Sequence, residues 1–131
     1  MELVLPEDLR FLDSHEYVRL DEKNAVIGIS SYAIEQLGDI VFLELPNIGD
    51  IVKTGESFGS IESVKAAEEL YPPISGIIID RNETIIENPE KIIDDPYGNG
   101  WLLKIQFESF NNELENTLSA EEYKSMLDNY T

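Results

Sequence analysis

Residues 61–71 read Ile61-Glu62-Ser63-Val64-Lys65-Ala66-Ala67-Glu68-Glu69-Leu70-Tyr71. Apolar residues stand at both ends, and a lysine with small neighbours stands at the centre. The flanking sequence is roughly symmetric about that lysine. Upstream lies Leu45-Pro46-Asn47-Ile48-Gly49-Asp50-Ile51-Val52-Lys53-Thr54-Gly55, and downstream lies Tyr71-Pro72-Pro73-Ile74-Ser75-Gly76-Ile77-Ile78-Ile79-Asp80-Arg81-Asn82. Each half is an apolar strand, a proline-containing bend, a glycine turn and another apolar strand. The pattern predicts strands over residues 57–63 and 68–71, joined as a hairpin with Lys65 at its tip.

Outward from this hairpin, short apolar runs alternate with turn signals. Strands are predicted at 17–20, 25–29, 40–45, 51–52, 76–80, 85–86 and 102–107. Asn24, Asp80-Arg81-Asn82 and Asp95-Pro96-Tyr97-Gly98 mark turns between them. The period changes at residues 30–37, where Ala33, Ile34 and Leu37 fall at helical spacing. Ser30 suits the N-cap there and Gly38 the C-terminal stop. A further helical turn is expected around Leu114, within residues 110–117. A C-terminal helix is expected near 119–128. Ser119 and Glu122 form a capping box there, and Tyr123, Met126 and Leu127 share one face. So many short strands argue for a mainly β sandwich or barrel. The chain has 131 residues and no low-complexity linker, so one domain over 1–131 is expected.

Charge narrows the function. Asp and Glu number 27 against 9 Lys and Arg, a formal charge of -18. Such a field repels phosphate backbones and anionic lipid, so neither nucleic acid nor a membrane is an expected partner. Basic protein surfaces are. No cysteine is present, which excludes disulfides, thiolate nucleophiles and thiolate metal sites. No apolar run is long enough to span a bilayer. Residues 1–10 lack the basic segment and apolar core of a secretory leader, and the expected location is cytoplasmic. His15-Glu16 could begin a zincin motif, but its fifth position is Arg19, so the motif fails. His15 reads as a hydrogen-bonded structural residue. No nucleophile–base pair, phosphate-binding loop or dinucleotide fingerprint appears, so the chain is expected not to be an enzyme.

A lysine at a hairpin tip projects into solvent while both strands stay anchored. Its amine on a four-carbon stem can be acylated by another enzyme, and Ala66 and Ala67 leave room for the approach. The competing reading is an ordinary surface lysine paired with Glu62 or Glu68.

Beyond the lysine stretch, several blocks run in order along the chain. They are Ser14-His15-Glu16-Tyr17-Val18, Gly28-Ile29-Ser30, Leu37-Gly38-Asp39-Ile40-Val41-Phe42-Leu43-Glu44-Leu45-Pro46 and Glu62-Ser63-Val64-Lys65-Ala66. Then come Pro73-Ile74-Ser75-Gly76 and Asp95-Pro96-Tyr97-Gly98 with Gly100-Trp101-Leu102. With these blocks the chain resembles the H proteins of the glycine cleavage system. It departs from them in having Tyr17 for a usual Trp, Ser30 for a usual Thr, and Glu68-Glu69 for a frequent Ser-Asp pair.

The resemblance implies a lipoyl-domain-like barrel-sandwich hybrid of two small antiparallel sheets. It implies lipoate as cofactor, in amide linkage to Lys65, with Glu62, Ser63, Val64 and Ala66 as the recognition motif around it. It implies a cleft for the aminomethyl-loaded arm near Ser14, Glu16 and Glu69. For Glu16 the competing reading is a solvated strand end, and for Ser14 a turn cap. The implied partners are the pyridoxal-phosphate glycine decarboxylase, the tetrahydrofolate-dependent aminomethyltransferase, dihydrolipoamide dehydrogenase and a lipoate-attaching enzyme. A carrier visiting several partners is expected to be a monomer. The alternative is an H-like module that relays lipoyl groups to other enzymes without taking part in glycine decarboxylation. Biotin carriers usually flank the lysine with methionines, and 2-oxo-acid dehydrogenase lipoyl domains place aspartate before it. Val64 and Ala66 match neither.

Overall fold

The computed structural model describes residues 5–22, 24–107 and 111–129. In chain order it forms β1 (Leu9–Phe11), β2 (Glu16–Asp21), β3 (Asn24–Ile29), α1 (Ser31–Leu37), β4 (Ile40–Glu44) and β5 (Ile51–Val52). The central hairpin β6 (Gly59–Ser63) and β7 (Ala67–Leu70) follows, then β8 (Gly76–Arg81) and α2 (Glu83–Glu87). A 3-10 helix, Pro89–Asp94, leads to β9 (Leu103–Gln106). A second 3-10 helix, Asn111–Asn116, precedes β10 (Leu118–Ser119) and α3 (Ala120–Asp128).

The strands form two antiparallel sheets, as expected, of unequal size. One has the order β10-β1-β2-β3-β9-β8-β5 and the other β4-β6-β7. The symmetry read about Lys65 has a structural counterpart. Ile51 pairs with Ile77 and Val52 with Gly76, while inside them Gly59 pairs with Leu70 and Glu62 with Ala67. The two pairings are concentric on Val64 and Lys65, although they belong to different sheets.

A large core fills the space between the sheets, with Val18, Ile27, Ile61, Ile78 and Ile105 at 1 % exposure or less. A second, smaller core lies beside it, where Leu9, Phe11 and Tyr17 meet Ala120, Tyr123 and Leu127 of α3. Phe11 stacks on Tyr123 with centroids 4.4 Å apart.

Local side-chain chemistry sets the helix ends. The Ser30 hydroxyl accepts the Ala33 amide, and Gly38 ends α1 at φ 84, where a glycine is needed. The Ser119–Glu122 capping box opens α3. Ile85 and Ile86, expected as a strand, lie in α2 instead. The Asn82 side chain accepts the Ile85 amide, and its amide group donates to the carbonyls of Asn99 and Trp101. That cap turns the chain into a helix where the two isoleucines alone suggest extension. The helical turn expected around Leu114 falls in the second 3-10 helix; residue 110 lies outside the described residues.

Tyr17 pairs across the sheet with Gly28, and its ring fills the space a side chain there would need. A Cβ on Gly28 would lie 2.4 Å from the ring and hydroxyl of Tyr17. That ring is fully buried, and its hydroxyl donates to the Pro96 carbonyl at 2.7 Å. Gly28→Ala is expected to destabilise the fold by about 3 kcal/mol through overpacking. Denaturant unfolding checks this, and an unchanged midpoint would contradict the packing.

Candidate functional site

The hairpin tip is held by its own backbone and one serine. The Ser63 amide donates to the Ala66 carbonyl at 2.8 Å, and the Ser63 hydroxyl accepts the amides of Ala66 and Lys65. The Val64 amide donates to the Asp39 carbonyl at 3.2 Å, tying the tip to the start of β4. The conformation of the tip is therefore fixed, while Val64, Lys65 and Ala66 are exposed. Among the described residues no ion pair engages Lys65, so its pairing with Glu62 or Glu68 is not realised. Its stem runs over the end of α1, where a Cβ built on Gly38 would sit 3.9 Å from Lys65 Cε.

Beside the tip lies a cleft of about 660 Å³. Its walls are the turn before β2, α1 and the edge strand β7 of the hairpin. Ser14, Glu16, Ala66 and Glu69, four residues singled out in the sequence, all line it. Lys65 thus stands where an extension of its side chain can enter the cleft, which fits an acyl arm attached there.

Glu16 is the chemical centre of this cleft. It is 1 % exposed and not the solvated strand end of the competing reading. One carboxyl oxygen accepts the Ser14 hydroxyl at 2.5 Å, and the other accepts the Tyr71 amide at 2.8 Å. Ser14 therefore lies in a turn, but its hydroxyl serves the carboxyl. Burial pushes the Glu16 pKa up to about 7, against the pull of these two hydrogen bonds. Near neutral pH this carboxyl is poised between its acid and its anion, inside a cleft large enough for a small cation.

The alternation of β7 separates its two glutamates. Ile61 faces Leu43 on one side and Glu68 on the other, and this row points inward. Glu69 pairs with Ser60 in the outward row, and its carboxylate accepts the Ser57 hydroxyl. Glu69 reaches the rim of the cleft, while Glu68 also lines it and, after Asp13, adds to the negative field on His15. The sequence reading places Glu69, not Glu68, in the cleft; strand alternation with Leu70 is the signal that picks out Glu68 as well.

His15 also lines the cleft and has the structural role expected of it. It adopts φ 86, and its carbonyl accepts the Ser30 amide at 2.9 Å. Its Nδ1 lies 2.7 Å from the Tyr123 hydroxyl, which is also 2.7 Å from the Ser30 hydroxyl. Burial pushes the His15 pKa down, so the ring is neutral at pH 7. Tyr123 thus ties α3 to the cleft wall and to the cap of α1. Among the described residues no group of His, Cys, Asp or Glu is placed to hold a metal ion, and no helix is long and apolar enough to cross a membrane.

Comparison with known proteins converges on one family. The glycine cleavage H-protein family model matches residues 9–130. The glycine cleavage system H protein of Crocosphaera subtropica is 69% identical over 128 residues, covering 98% of this chain and 96% of its own. That of Rippkaea orientalis is 62% identical over 128 residues, covering 98% and 97%. The crystal structure of a glycine cleavage system H protein from Mycobacterium marinum matches with a TM-score of 0.87 at 35% identity, over 95% of this chain and 99% of its own.

Proposed function

This chain belongs to the glycine cleavage H-protein family, and we propose on that basis that it carries the aminomethyl group of glycine on a lipoyl arm in amide linkage to Lys65. The observation that carries the reading is the lysine itself, exposed on a fixed tip at the mouth of a cleft with a buried carboxyl. The lipoyl group, when attached, supplies a disulfide that is reduced as the aminomethyl group is taken up. The chain supplies attachment, shelter and charge, and bond making is left to the active sites of its partners.

Each residue has a part. Lys65 gives up its positive charge on forming the amide, so the arm is not drawn to the acidic surface around it. Glu62, Ser63, Val64 and Ala66 hold and mark the tip. In the cleft, the Glu16 carboxylate faces the protonated amine of the loaded arm, and Ser14 and the Tyr71 amide keep its oxygens in place. Glu68 and Glu69 add negative potential at the mouth. The partners are the glycine decarboxylase that loads the arm, the aminomethyltransferase that unloads it and the dihydrolipoamide dehydrogenase that reoxidises it. With a charge of -18, the carrier is steered to basic rims around those sites, so association weakens with salt. The carrier works in the cytoplasm as a monomer.

The test is intact mass with peptide mapping, on protein from its own cell and after incubation with a lipoate–protein ligase. A lipoyl amide on Lys65, absent from Lys65→Arg, is the expected result. An unmodified Lys65 under both conditions would overturn the assignment. Glycine-dependent carboxyl exchange with the decarboxylase then separates a glycine carrier from a lipoate relay.

A further inference from the structure

The single histidine of the chain lines the cleft with only one of its ring nitrogens engaged. Nδ1 lies 2.7 Å from the Tyr123 hydroxyl, and no hydrogen bond among the described residues engages Nε2. The direction of the neighbouring hydrogen bonds decides what Nε2 presents. The Ser30 hydroxyl already accepts the Ala33 amide at 3.2 Å, so its own proton goes to the Tyr123 oxygen, 2.7 Å away. Ser30 and Tyr123 are fully buried, and water does not compete for these protons. A phenol is the better donor and an imidazole nitrogen the better acceptor, so Tyr123 donates to Nδ1. The ring proton of His15 then sits on Nε2. A doubly protonated ring would carry a proton there as well, so in either state this edge of His15 is a donor.

A donor is the wrong partner for the protonated amine of the loaded arm, which itself only donates and goes to Glu16. The strong acceptor on the arm is the amide carbonyl at its root, since its sulfur atoms accept weakly. Reach matches this division. Glu68, whose field acts on His15, and Tyr71, whose amide holds Glu16, follow Lys65 along β7 and its end. At about 3.3 Å per residue they stand up to ~10 Å and ~20 Å from Lys65. An extended lysine stem spans ~6 Å from Cα to Nζ, and the eight-carbon acyl chain adds ~10 Å. An arm lying along β7 therefore passes its carbonyl near the level of Glu68 and brings its reactive end toward that of Tyr71. We infer that His15 is a second holding residue for the loaded arm, its Nε2–H donating to the amide carbonyl that joins the arm to Lys65. Ser30 and Tyr123 act through it, as positioning residues that orient the ring and place its proton. The inference rests on the lipoyl-carrier reading of Lys65.

With one histidine in the chain, nitrogen-15 labelling of histidine reports this ring alone. In the lipoylated wild-type protein the ring proton is expected on Nε2, and its resonance is expected to move to lower field when glycine and the decarboxylase load the arm. A proton on Nδ1, or an Nε2–H resonance indifferent to loading, would overturn the inference, and this spectrum needs no variant to fold. The second readout is ammonia release from the loaded arm without the aminomethyltransferase. His15→Gln keeps an N–H near the place of Nε2, whereas His15→Asn is too short to reach it but tolerates the φ of 86. His15→Asn is expected to shorten the loaded lifetime about fivefold, the size of one neutral hydrogen bond, with His15→Gln near wild type. Reoxidation of the unloaded dithiol arm by dihydrolipoamide dehydrogenase should be the same in all three proteins. A wild-type lifetime in His15→Asn would count against the inference, and so would an equal loss in both variants, the mark of a purely structural residue. If the wild-type arm could not be loaded at all, the carrier reading would fail instead.

Discussion

Lys65→Arg is expected to abolish glycine-dependent exchange, down to the level seen with no carrier added, while leaving the fold intact. The guanidinium keeps the charge and most of the length of the side chain but cannot be acylated by an enzyme built for a primary amine. The structure gives the reason stability should not change. The tip is held by the Ser63 hydroxyl and by backbone bonds to Ala66 and Asp39, none of which involves the Lys65 side chain. Unfolding free energy is expected to stay within about 0.5 kcal/mol of wild type. Denaturant unfolding and the exchange assay, run on one preparation, check both halves. Activity that survived the substitution would show that the arm, if any, is attached elsewhere.

The second large effect belongs to Glu16. Its pKa is raised by burial from 4.5 to about 7. Between those values the folded state binds a proton that the unfolded state has lost. The contribution of this group is therefore fully present below about pH 4.5 and is lost as pH rises through 7. The loss is about 3 kcal/mol, since each tenfold difference in proton affinity between the two states is worth about 1.4 kcal/mol. The quantity to measure is the difference between wild type and Glu16→Gln, which isolates this group. The variant is expected to gain stability relative to wild type as pH is raised from about 5 to about 8. A pH-independent difference would mean that Glu16 is not buried as described.

In the loaded carrier the sign of the demand reverses. A protonated amine in the cleft favours the Glu16 anion and lowers its pKa, because opposite charges stabilise each other. The cleft is expected to protect the loaded arm better at about pH 8 than at about pH 6, relative to free aminomethyl lipoamide. Glu16→Gln should remove that pH dependence and shorten the lifetime of the loaded arm. The rate of ammonia release in the absence of the aminomethyltransferase measures it, and identical profiles for both proteins would count against the proposed cleft.

What can be read in the sequence is what neighbouring residues decide. Ser30, Gly38, Ser119 and Glu122 fix both ends of one helix and the start of another through contacts a few residues apart, and each is legible. The hairpin and its lysine are legible because symmetric turn signals bracket them. Residues whose state depends on distant parts of the chain are not. β1 is three residues long, and while one edge pairs with the neighbouring β2, the other is covered by β10 from the far end of the chain. α2 is too short to show a helical period, and its cap, Asn82, also suits a turn. The burial of Glu16 depends on Tyr71, 55 residues away, so a strand-end glutamate and a cleft carboxyl look alike in sequence. Alternation with Leu70 marks Glu68 as facing inward, but that Glu69 also lines the cleft depends on the edge position of β7, which the local sequence does not show.

The second core packs α3 against β1 and Tyr17, apart from the larger core. The hairpin and the inner wall of the cleft belong to the larger one, but His15 is tied by Tyr123 to the smaller one. Segments with few buried apolar contacts open locally more readily than those in the main core, and amide exchange reports such openings directly. Protection factors in α3 should therefore be lower than those in β3 and β9, and each excursion of α3 would release Tyr123 from His15 and Ser30 while leaving Lys65 presented as before. The shelter can then breathe on its own clock, independently of the handle by which the arm is held.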